Sequence, residues 1–265
     1  MRSWKADLGD FLDVLAKNAH QTINDGYYNV KDIPPLPKIS LKEAIELKKR
    51  NPVIAEIKTV SPSMGTIRNG VEPIEVAKEM KSSGAIGISV LTEPRNFGGD
   101  LKLIHAVKKS VRIPVLMKDI IMDHRQIEAA SMLSADAILL IKALFDRGHC
   151  GSDLNEMIKV AHDLGLEVLL ETHTADEFRS AIQSEADLVG INNRDLRSLE
   201  VDLGVTERIL KEVDAFGRII VSESGIRTPE DIRFLRARGA HAFLIGSAIM
   251  SSEDIGEAVR RFVNA

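Results

Sequence analysis

The chain has 265 residues, of which 44% are hydrophobic and 28% are charged, an ordinary globular balance that leaves enough apolar side chains for a large core. Its net charge of -4 gives no overall basic field, so we expect no nucleic-acid partner, and an anionic ligand would need a local cluster of cations. The single cysteine, Cys150, excludes an internal disulfide and a multi-cysteine metal site, which fits a reducing, cytoplasmic compartment.

The first 50 residues differ in pattern from the rest and are predicted to form an N-terminal extension. Residues 10–19 carry three large apolar side chains on one side, which predicts an amphipathic helix. Closely spaced prolines exclude a regular helix over 34–37, and Ser40 with Glu43 then forms a capping-box pattern that opens a helix to about residue 50. Charges interrupt the N-terminal apolar stretches, and no apolar run approaches the ~18 residues of a membrane span, so we expect neither a signal peptide nor a membrane partner.

From residue 51 onwards, short apolar runs alternate with helical patterns. The eight runs span 53–58, 86–92, 113–118, 136–142, 166–171, 187–192, 218–224 and 241–246, and the helical patterns between them include 73–82, 123–132 and 175–184. This alternation predicts parallel strands joined by helical crossovers, and eight such units close into a (β/α)8 TIM barrel.

We therefore predict a single α/β domain over 1–265, made of an N-terminal helical extension (1–50) and a barrel (51–265). An open doubly wound sheet is the alternative architecture. The sequence argues against it, because no Gly-x-Gly-x-x-Gly turn follows the first strand.

Polar residues stand at the ends of several apolar runs, where a barrel of this class carries its active site. They are Glu56, Lys58, Lys118, Glu171, Asn192, Ser224 and the pair Gly246-Ser247. Residues two apart on a strand share a face, so Glu56 and Lys58 point together. We predict that the lysines and carboxylates converge in one mouth, shift each other's pKa and serve as acid and base. The alternative is a set of structural ion pairs that close the barrel.

The ends of the seventh and eighth runs carry small residues that favour an anion. The turns 224–226 and 246–249 would expose backbone N–H groups at the start of a helix. Loops seven and eight are the usual phosphate site of this fold. We therefore predict phosphate binding at Gly225, Gly246 and Ser247.

Several other polar residues are interpreted as carrying no site. Five histidines lack metal-ligand spacing, which together with the missing nucleotide fingerprint predicts neither a metal nor a cofactor. Lys108 and Lys109 are interpreted as a solvated helix face, Cys150 as an incidental thiol, and Trp4 as a residue that packs the extension.

Five segments carry a resemblance to a known family. They are 54–58 (IAEIK) with 61–63 (SPS), 90–94 (VLTEP) with 97–99 (FGG), 114–119 (PVLMKD), 190–196 (GINNRDL) and 222–226 (SESGI). Together they resemble the strand-end motifs of indole-3-glycerol phosphate synthases. The resemblance covers about residues 50–250, and the extension also fits this family.

The resemblance implies a cofactor-free carboxy-lyase of tryptophan biosynthesis. Such an enzyme closes 1-(2-carboxyphenylamino)-1-deoxyribulose 5-phosphate to indole-3-glycerol phosphate, with loss of carbon dioxide and water. By position, Lys118 resembles the general acid of ring closure, and Lys58 a residue that holds anionic groups and gives a later proton. Glu171 resembles the residue that assists dehydration, and Glu56 one that orients a lysine or accepts the final proton. Which lysine donates at which step stays open.

The resemblance also implies the residues that place the substrate. Asn192 is expected to act with the catalytic set, and the expected substrate-binding residues are Ser61, Arg194, Glu223, Ser224 and Phe97. The sequence departs from the family at Ile120, where an aromatic residue is frequent, at Thr59 and Val60, and at Met64, where a lysine is common.

Two rival functions stay open. One is another phosphate-binding barrel enzyme of amino-acid biosynthesis, such as a phosphoribosylanthranilate isomerase-like enzyme, and the combination of Glu56, Lys58 and Lys118 argues against it. The other is a non-catalytic phosphate-binding scaffold, and the charged strand ends argue against that. The expected partner is a small phosphorylated substrate. The oligomeric state is open, with a monomer as the working expectation.

Overall fold

The computed structural model describes residues 10–31, 33–58, 60–61, 65–66, 70 and 72–265, with the backbone alone at 60, 61 and 66. The predictions for Trp4, Thr59 and Met64, and for the side chains of Val60 and Ser61, lie outside the described part of the chain.

Eight parallel strands close into a barrel in the order β1-β8-β7-β6-β5-β4-β3-β2. They are β1 Val53–Ile57, β2 Gly87–Leu91, β3 Val115–Lys118, β4 Ala137–Ile141, β5 Glu167–Thr172, β6 Leu188–Asn192, β7 Ile220–Glu223 and β8 Ala242–Ile245. Each begins and ends within two residues of a predicted apolar run, so the predicted (β/α)8 barrel is confirmed. A short antiparallel pair, Val60–Ser61 with Gly65–Thr66, follows β1 outside the barrel.

Twelve helices occur in the described part of the chain. They are α1 Phe11–Asn24, α2 Leu41–Glu46, α3 Pro73–Ser82, α4 Leu103–Ser110, α5 His124–Met132, α6 Lys142–Asp146, α7 Leu154–Asp163, α8 Ala175–Ala181, α9 Gly204–Glu212, α10 Pro229–Arg236, α11 Ser247–Met250 and α12 Ile255–Val263. None of these helices has the length and apolar character needed to cross a bilayer.

The two helices of the extension differ in length from their predictions. Helix α1 runs five residues further, because Thr22 and Ile23 continue its buried stripe. Helix α2 starts as predicted, with the Ser40 side chain accepting from the N–H of Glu43. It ends at Glu46, because residues 47–50 are exposed and contribute no packing, and Pro52 restricts the backbone before it.

Alternation along the strands divides the core in two. One set of side chains faces outward and packs against the surrounding helices. The other fills the barrel interior and includes Ile54, Leu116 and Leu169. This inner cluster is continuous with Leu12 and Leu15 of α1 and with Leu41 and Ile45 of α2. The extension therefore closes the barrel at both ends, with α1 at the carboxyl ends of the strands and α2 at the amino ends.

A stretch of the extension at 36–42, called the bottom strap from here on, is tied to the amino ends of the strands by buried acceptors. The N–H of Ile39 donates to Asp136 at 2.8 Å, and the N–H of Leu41 donates to Glu167 at 2.7 Å. Asp136 also pairs with Lys108, whose side chain is 2% exposed. The interpretation of Lys108 as a solvated residue is therefore wrong, although Lys109 is exposed.

Candidate active site

A divided cavity opens at the carboxyl ends of the strands. Its apolar compartment has a volume of about 780 Å³ and is walled in part by Phe11 and Leu15 of α1. Its polar compartment has a volume of about 1140 Å³ and lies over the turns that follow β7 and β8. The residues shared by both compartments are Glu56, Lys58, Lys118, Arg194 and Ser224.

Lys118 is the centre of a buried charge cluster on the cavity floor. Its ammonium group lies 3.3 Å from Glu56 Oε2 and 3.2 Å from Glu223 Oε2. Lys58 Nζ lies 3.6 Å from Glu56 Oε1. Strand parity brings these groups together, because side chains two residues apart on a strand point to the same face. Lys118 shares the inner face of β3 with Leu116. Glu56 likewise shares the inner face of β1 with Ile54.

The two lysines of the cluster are held in different electrostatic states. Burial alone would lower the pKa of Lys118, but Glu56, Glu223 and Glu171 together raise it well above the ordinary value. Burial lowers the pKa of Lys58, and its single carboxylate neighbour, Glu56, offsets this only in part. Lys118 is therefore held as an ammonium group in the free protein, and Lys58, with its lowered pKa, gives up a proton more readily.

The three carboxylates of the cluster also differ. Burial opposes ionisation of Glu56, but Lys118 and Lys58 hold its pKa below the ordinary value. The pKa of Glu223 is raised, first by burial and then by the charges of Glu171 and Glu56. The pKa of Glu171 is lowered despite its burial, chiefly by His173 and then by Lys118 and Asn192. Burial and the neighbouring carboxylates therefore make Glu223 the carboxylate of this cluster that binds a proton most readily.

The apolar compartment is lined mainly by aromatic and aliphatic side chains. Phe97 and Leu196 join Phe11, Leu15 and Ile120 in its wall. The position of Phe97 is set by Glu93. This buried carboxylate accepts the N–H groups of residues 95 to 97 at 3.0, 2.6 and 3.0 Å and so folds the loop after β2.

The polar compartment combines small residues with cations. Gly225, Gly246 and Ser247 line it together with Arg194 and Arg227. The pKa of Arg194 is lowered, first by burial and then by the charge of Arg227. No carboxylate of the described residues lies within 4.0 Å of the Arg227 guanidinium group. This side of the cavity thus has positive charge that an anion would neutralise.

A family model described as indole-3-glycerol phosphate synthase matches residues 13–262. The protein of that name from Carboxydothermus hydrogenoformans is 42% identical over 224 residues, covering 83% of each chain. Its counterpart from Methanocaldococcus jannaschii is 42% identical over 236 residues, covering 88% of this chain and 86% of the relative. That from Ruminiclostridium cellulolyticum is 46% identical over 203 residues, covering 77% of this chain and 76% of the relative.

This chain belongs to the indole-3-glycerol phosphate synthase family. Among solved structures, thiamine phosphate pyrophosphorylase from Pyrococcus furiosus is similar in fold, with a TM-score of 0.58 at 16% identity, covering 84% of this chain and 96% of that one. At that identity the likeness concerns the barrel fold alone.

Most residues expected from the resemblance to indole-3-glycerol phosphate synthases surround this one cavity. Those that line it are Glu56, Lys58, Phe97, Lys118, Glu171, Asn192, Arg194, Ser224, Gly225, Gly246 and Ser247. Glu223 is fully buried beneath the lining and contacts Lys118, so it supports the floor without facing the open cavity. The side chain of Ser61 lies outside the described residues.

Sequence reasoning missed several residues of the cavity in this family member. Arg227 is two positions beyond Gly225, and a cation so close to a predicted phosphate turn was a usable signal. Phe11 and Leu15 reach the cavity only because α1 docks over it, which no local pattern reveals. Within the described ranges, no three His, Cys, Asp or Glu side chains come together in a way that could hold a metal ion.

Proposed function

We propose that the protein is an indole-3-glycerol phosphate synthase. It closes 1-(2-carboxyphenylamino)-1-deoxyribulose 5-phosphate to indole-3-glycerol phosphate in tryptophan biosynthesis, releasing carbon dioxide and water. The observation that carries this proposal is the position of Lys118. It is a half-buried ammonium group paired with Glu56 and Glu223 and influenced by the charge of Glu171, between an apolar compartment and a cationic, glycine-lined one.

The two compartments suit the two ends of this substrate. The carboxyphenyl ring fits the apolar compartment, against Phe97 and Ile120. The phosphate fits the polar compartment, over Gly225, Gly246 and Ser247. The first N–H groups of a helix have no partner within that helix, so the start of α11 offers donors to the phosphate oxygens. The chain between ring and phosphate then passes over Lys118.

In the first step, the ring carbon that bears the carboxylate attacks the ketone carbon, and Lys118 protonates the ketone oxygen. The new carbon–carbon bond places positive charge on the ring system, and loss of carbon dioxide returns the bonding electrons to it. Before this proton is transferred, the ammonium group of Lys118 stabilises the negative charge that develops on the ketone oxygen.

In the second step, the new hydroxyl group leaves as water and a ring proton departs, which completes the indole. Lys58, with its lowered pKa, protonates the leaving hydroxyl, and Glu171 takes the ring proton as an ionised base. Asn192 lies beside Glu171 in the floor, and Glu56 orients both lysines by pairing with each of them.

The decisive assay is incubation of the purified protein with 1-(2-carboxyphenylamino)-1-deoxyribulose 5-phosphate while indole fluorescence and released carbon dioxide are recorded. We expect turnover that EDTA leaves unchanged, because the lysines and carboxylates supply the acid, the base and the charge stabilisation. Loss of activity in EDTA that a divalent cation restores would contradict a metal-free mechanism. An isomerase-like barrel would release no carbon dioxide, and a binding scaffold would bind the compound without converting it.

We further propose that the extension and barrel act as one domain, that the enzyme works in the cytoplasm, and that it acts as a monomer. The shared inner core supports the first proposal. The half-buried Cys150, whose pKa burial raises to about 12, is an unreactive thiol that fits a reducing compartment. The expected catalytic residues of a single chain meet in one cavity, which supports the monomer.

A further inference from the structure

A histidine stands directly behind Glu171, and the mechanism above leaves it unused. His173 Nε2 lies 3.2 Å from Glu171 Oε1, and His173 Nδ1 lies 3.5 Å from Glu177 Oε2. The His173 side chain is only 11% exposed, compared with 3% for Glu171 and 15% for Glu177. The imidazole ring is therefore enclosed between two carboxylates.

Local structure fixes the ring in this place. β5 ends at Thr172, and Thr174 caps α8 by accepting the N–H of Glu177 at 3.2 Å. Glu177 in turn accepts the backbone N–H of His173 at 2.7 Å. Strand end, cap and first helical turn are thus linked, which holds the backbone of His173 beside Glu171 and Glu177.

The other cations near Glu171 are shared with, or paired to, other carboxylates. Lys118 on β3 is shared with Glu56 on β1 and Glu223 on β7, and burial raises the free energy of every charged form. On α6, Lys142 and Asp146 pair with each other. His173 pairs directly with Glu171. Although burial opposes it, the proximity of Glu171 and Glu177 raises the pKa of His173 to about 9.

We propose that His173 is a positioning residue that, as an imidazolium, holds Glu171 ionised and correctly oriented to take the ring proton during dehydration. This inference rests on the proposed function. In physical terms, the positive charge of His173 stabilises the ionised form of Glu171. A proton in the cluster then binds to Glu223 in preference, and Glu171 stays free to act as a base. Glu177 maintains the charge of His173 from its outer side.

The test is the dependence of kcat on pH in His173→Gln. Glu171 must be ionised to act, so kcat falls as the pH drops through its pKa. Removal of the neighbouring cation raises that pKa, and the acid limb should move to higher pH by about 1–3 units. Activity above the shifted limb should persist. His173→Lys, which keeps a positive charge in the same place, should retain an acid limb close to that of the wild type.

Two further variants keep the test sharp. Glu177→Gln leaves the histidine in place and weakens its charge, so its acid limb should move in the same direction by less. His162→Gln removes a histidine that pairs with Asp187 at 2.9 Å outside the cavity, and its limb should not move. Thermal unfolding of each variant gives the folded fraction used to normalise kcat.

An acid limb that stays in place in folded His173→Gln or Glu177→Gln would overturn the inference. So would a limb in His173→Lys that moves as far as in His173→Gln, because charge would then not be what matters. A wild-type protein that fails to convert the substrate would instead overturn the proposed function.

Discussion

Each end of the barrel contains a lysine that pairs with carboxylate, and the two ends use it in opposite ways. At the amino ends of the strands, Lys108 Nζ donates to both oxygens of Asp136, at 2.7 and 2.6 Å. Asp136 also accepts the N–H groups of Ile39 and Val115, at 2.8 and 2.7 Å. Lys108 pairs with this single carboxylate, and both oxygens of Asp136 accept hydrogen bonds.

At the carboxyl ends of the strands, the single charge of Lys118 faces three carboxyl groups, those of Glu56, Glu223 and Glu171. Glu56 Oε2 and Glu223 Oε1 are buried, and no described residue donates a well-aligned hydrogen bond to either atom. The cluster also borders a cavity with room for a ligand. A complete set of partners serves stability, whereas an incomplete set beside a cavity is available for chemistry, since buried unpaired polar groups are costly unless they are used.

The largest expected effect comes from the two lysines of this comparison. Lys118→Met should lower kcat by about 10²–10⁴, the usual contribution of positioned proton transfer, and leave a folded protein, since Glu223 already favours its protonated form.

Lys108→Met should leave Asp136 buried without its cation and lower the free energy of unfolding by about 3–5 kcal/mol. Its folded fraction should turn over at the normal rate.

Thermal unfolding and steady-state kinetics on the same preparations of both variants provide the measurement. If Lys118→Met were clearly destabilised with near-normal turnover of its folded fraction, Lys118 would be a structural residue like Lys108, and the contrast between the two ends would fail.

An intermediate effect is expected at the phosphate turn. Ser247→Ala removes a hydroxyl group beside the predicted phosphate and should raise KM by about 10- to 100-fold with little change in kcat, as a hydrogen bond to a charged group contributes about 1.5–3 kcal/mol. Gly246→Ala should lower kcat as well, because a Cβ there would lie 2.6 Å from Glu56 Oε1.

A dephosphorylated substrate should bind poorly to the wild type. Equal KM values for the two substrates would place the phosphate elsewhere.

The smallest effect is expected where α1 docks over the cavity. The bottom strap is held by buried acceptors, whereas α1 is held in part by exposed charges, with Asp13 Oδ1 at 2.9 Å from His149 Nε2 and 3.4 Å from Arg147 Nη1. An exposed pair contributes about 0.2–1 kcal/mol, so Asp13→Asn should raise KM by less than about sixfold at unchanged kcat. High salt should reduce the difference.

Asp176→Asn is the matched control for this last variant, since Asp176 pairs with Arg179 on the exposed face of α8, away from the cavity. Its KM should equal that of the wild type at any salt concentration. A KM for Asp13→Asn that did not differ from that of the control would mean that α1 stays docked without its charges.

The sequence predicted the barrel well because strand and helix periods are local properties. Every apolar run became a strand, and parity placed Glu56 and Lys58 on one face. The prediction that Lys108 is solvated was wrong, although the sequence carried a signal against it. Lys108 lies four residues after Ile104 and next to Val107, on the buried stripe of α4. A charge on an apolar stripe indicates a buried partner, but the partner, Asp136, is 28 residues away and only the fold reveals it.

The site was predicted less completely for the same reason. The motif residues at the strand ends could be listed, but which lysine has the higher pKa depends on how many carboxylates surround each one. Lys118 has three such neighbours and Lys58 has one, and these numbers follow from the closure of the barrel. The contributions of Phe11 and Leu15 depend on where α1 docks.

The two glycines of the predicted phosphate turns restrict how this enzyme could be adapted to other substrates. A side chain at Gly225 would meet Val201 at 2.3 Å in a left-handed backbone conformation, and one at Gly246 would press on Glu56. Neither position can be enlarged to suit a smaller or uncharged end group without disturbing the loop or the acid–base cluster. A redesign for a sulfonate, a carboxylate or a neutral tail would have to work through the surrounding side chains of Ser247, Ser251 and Arg227.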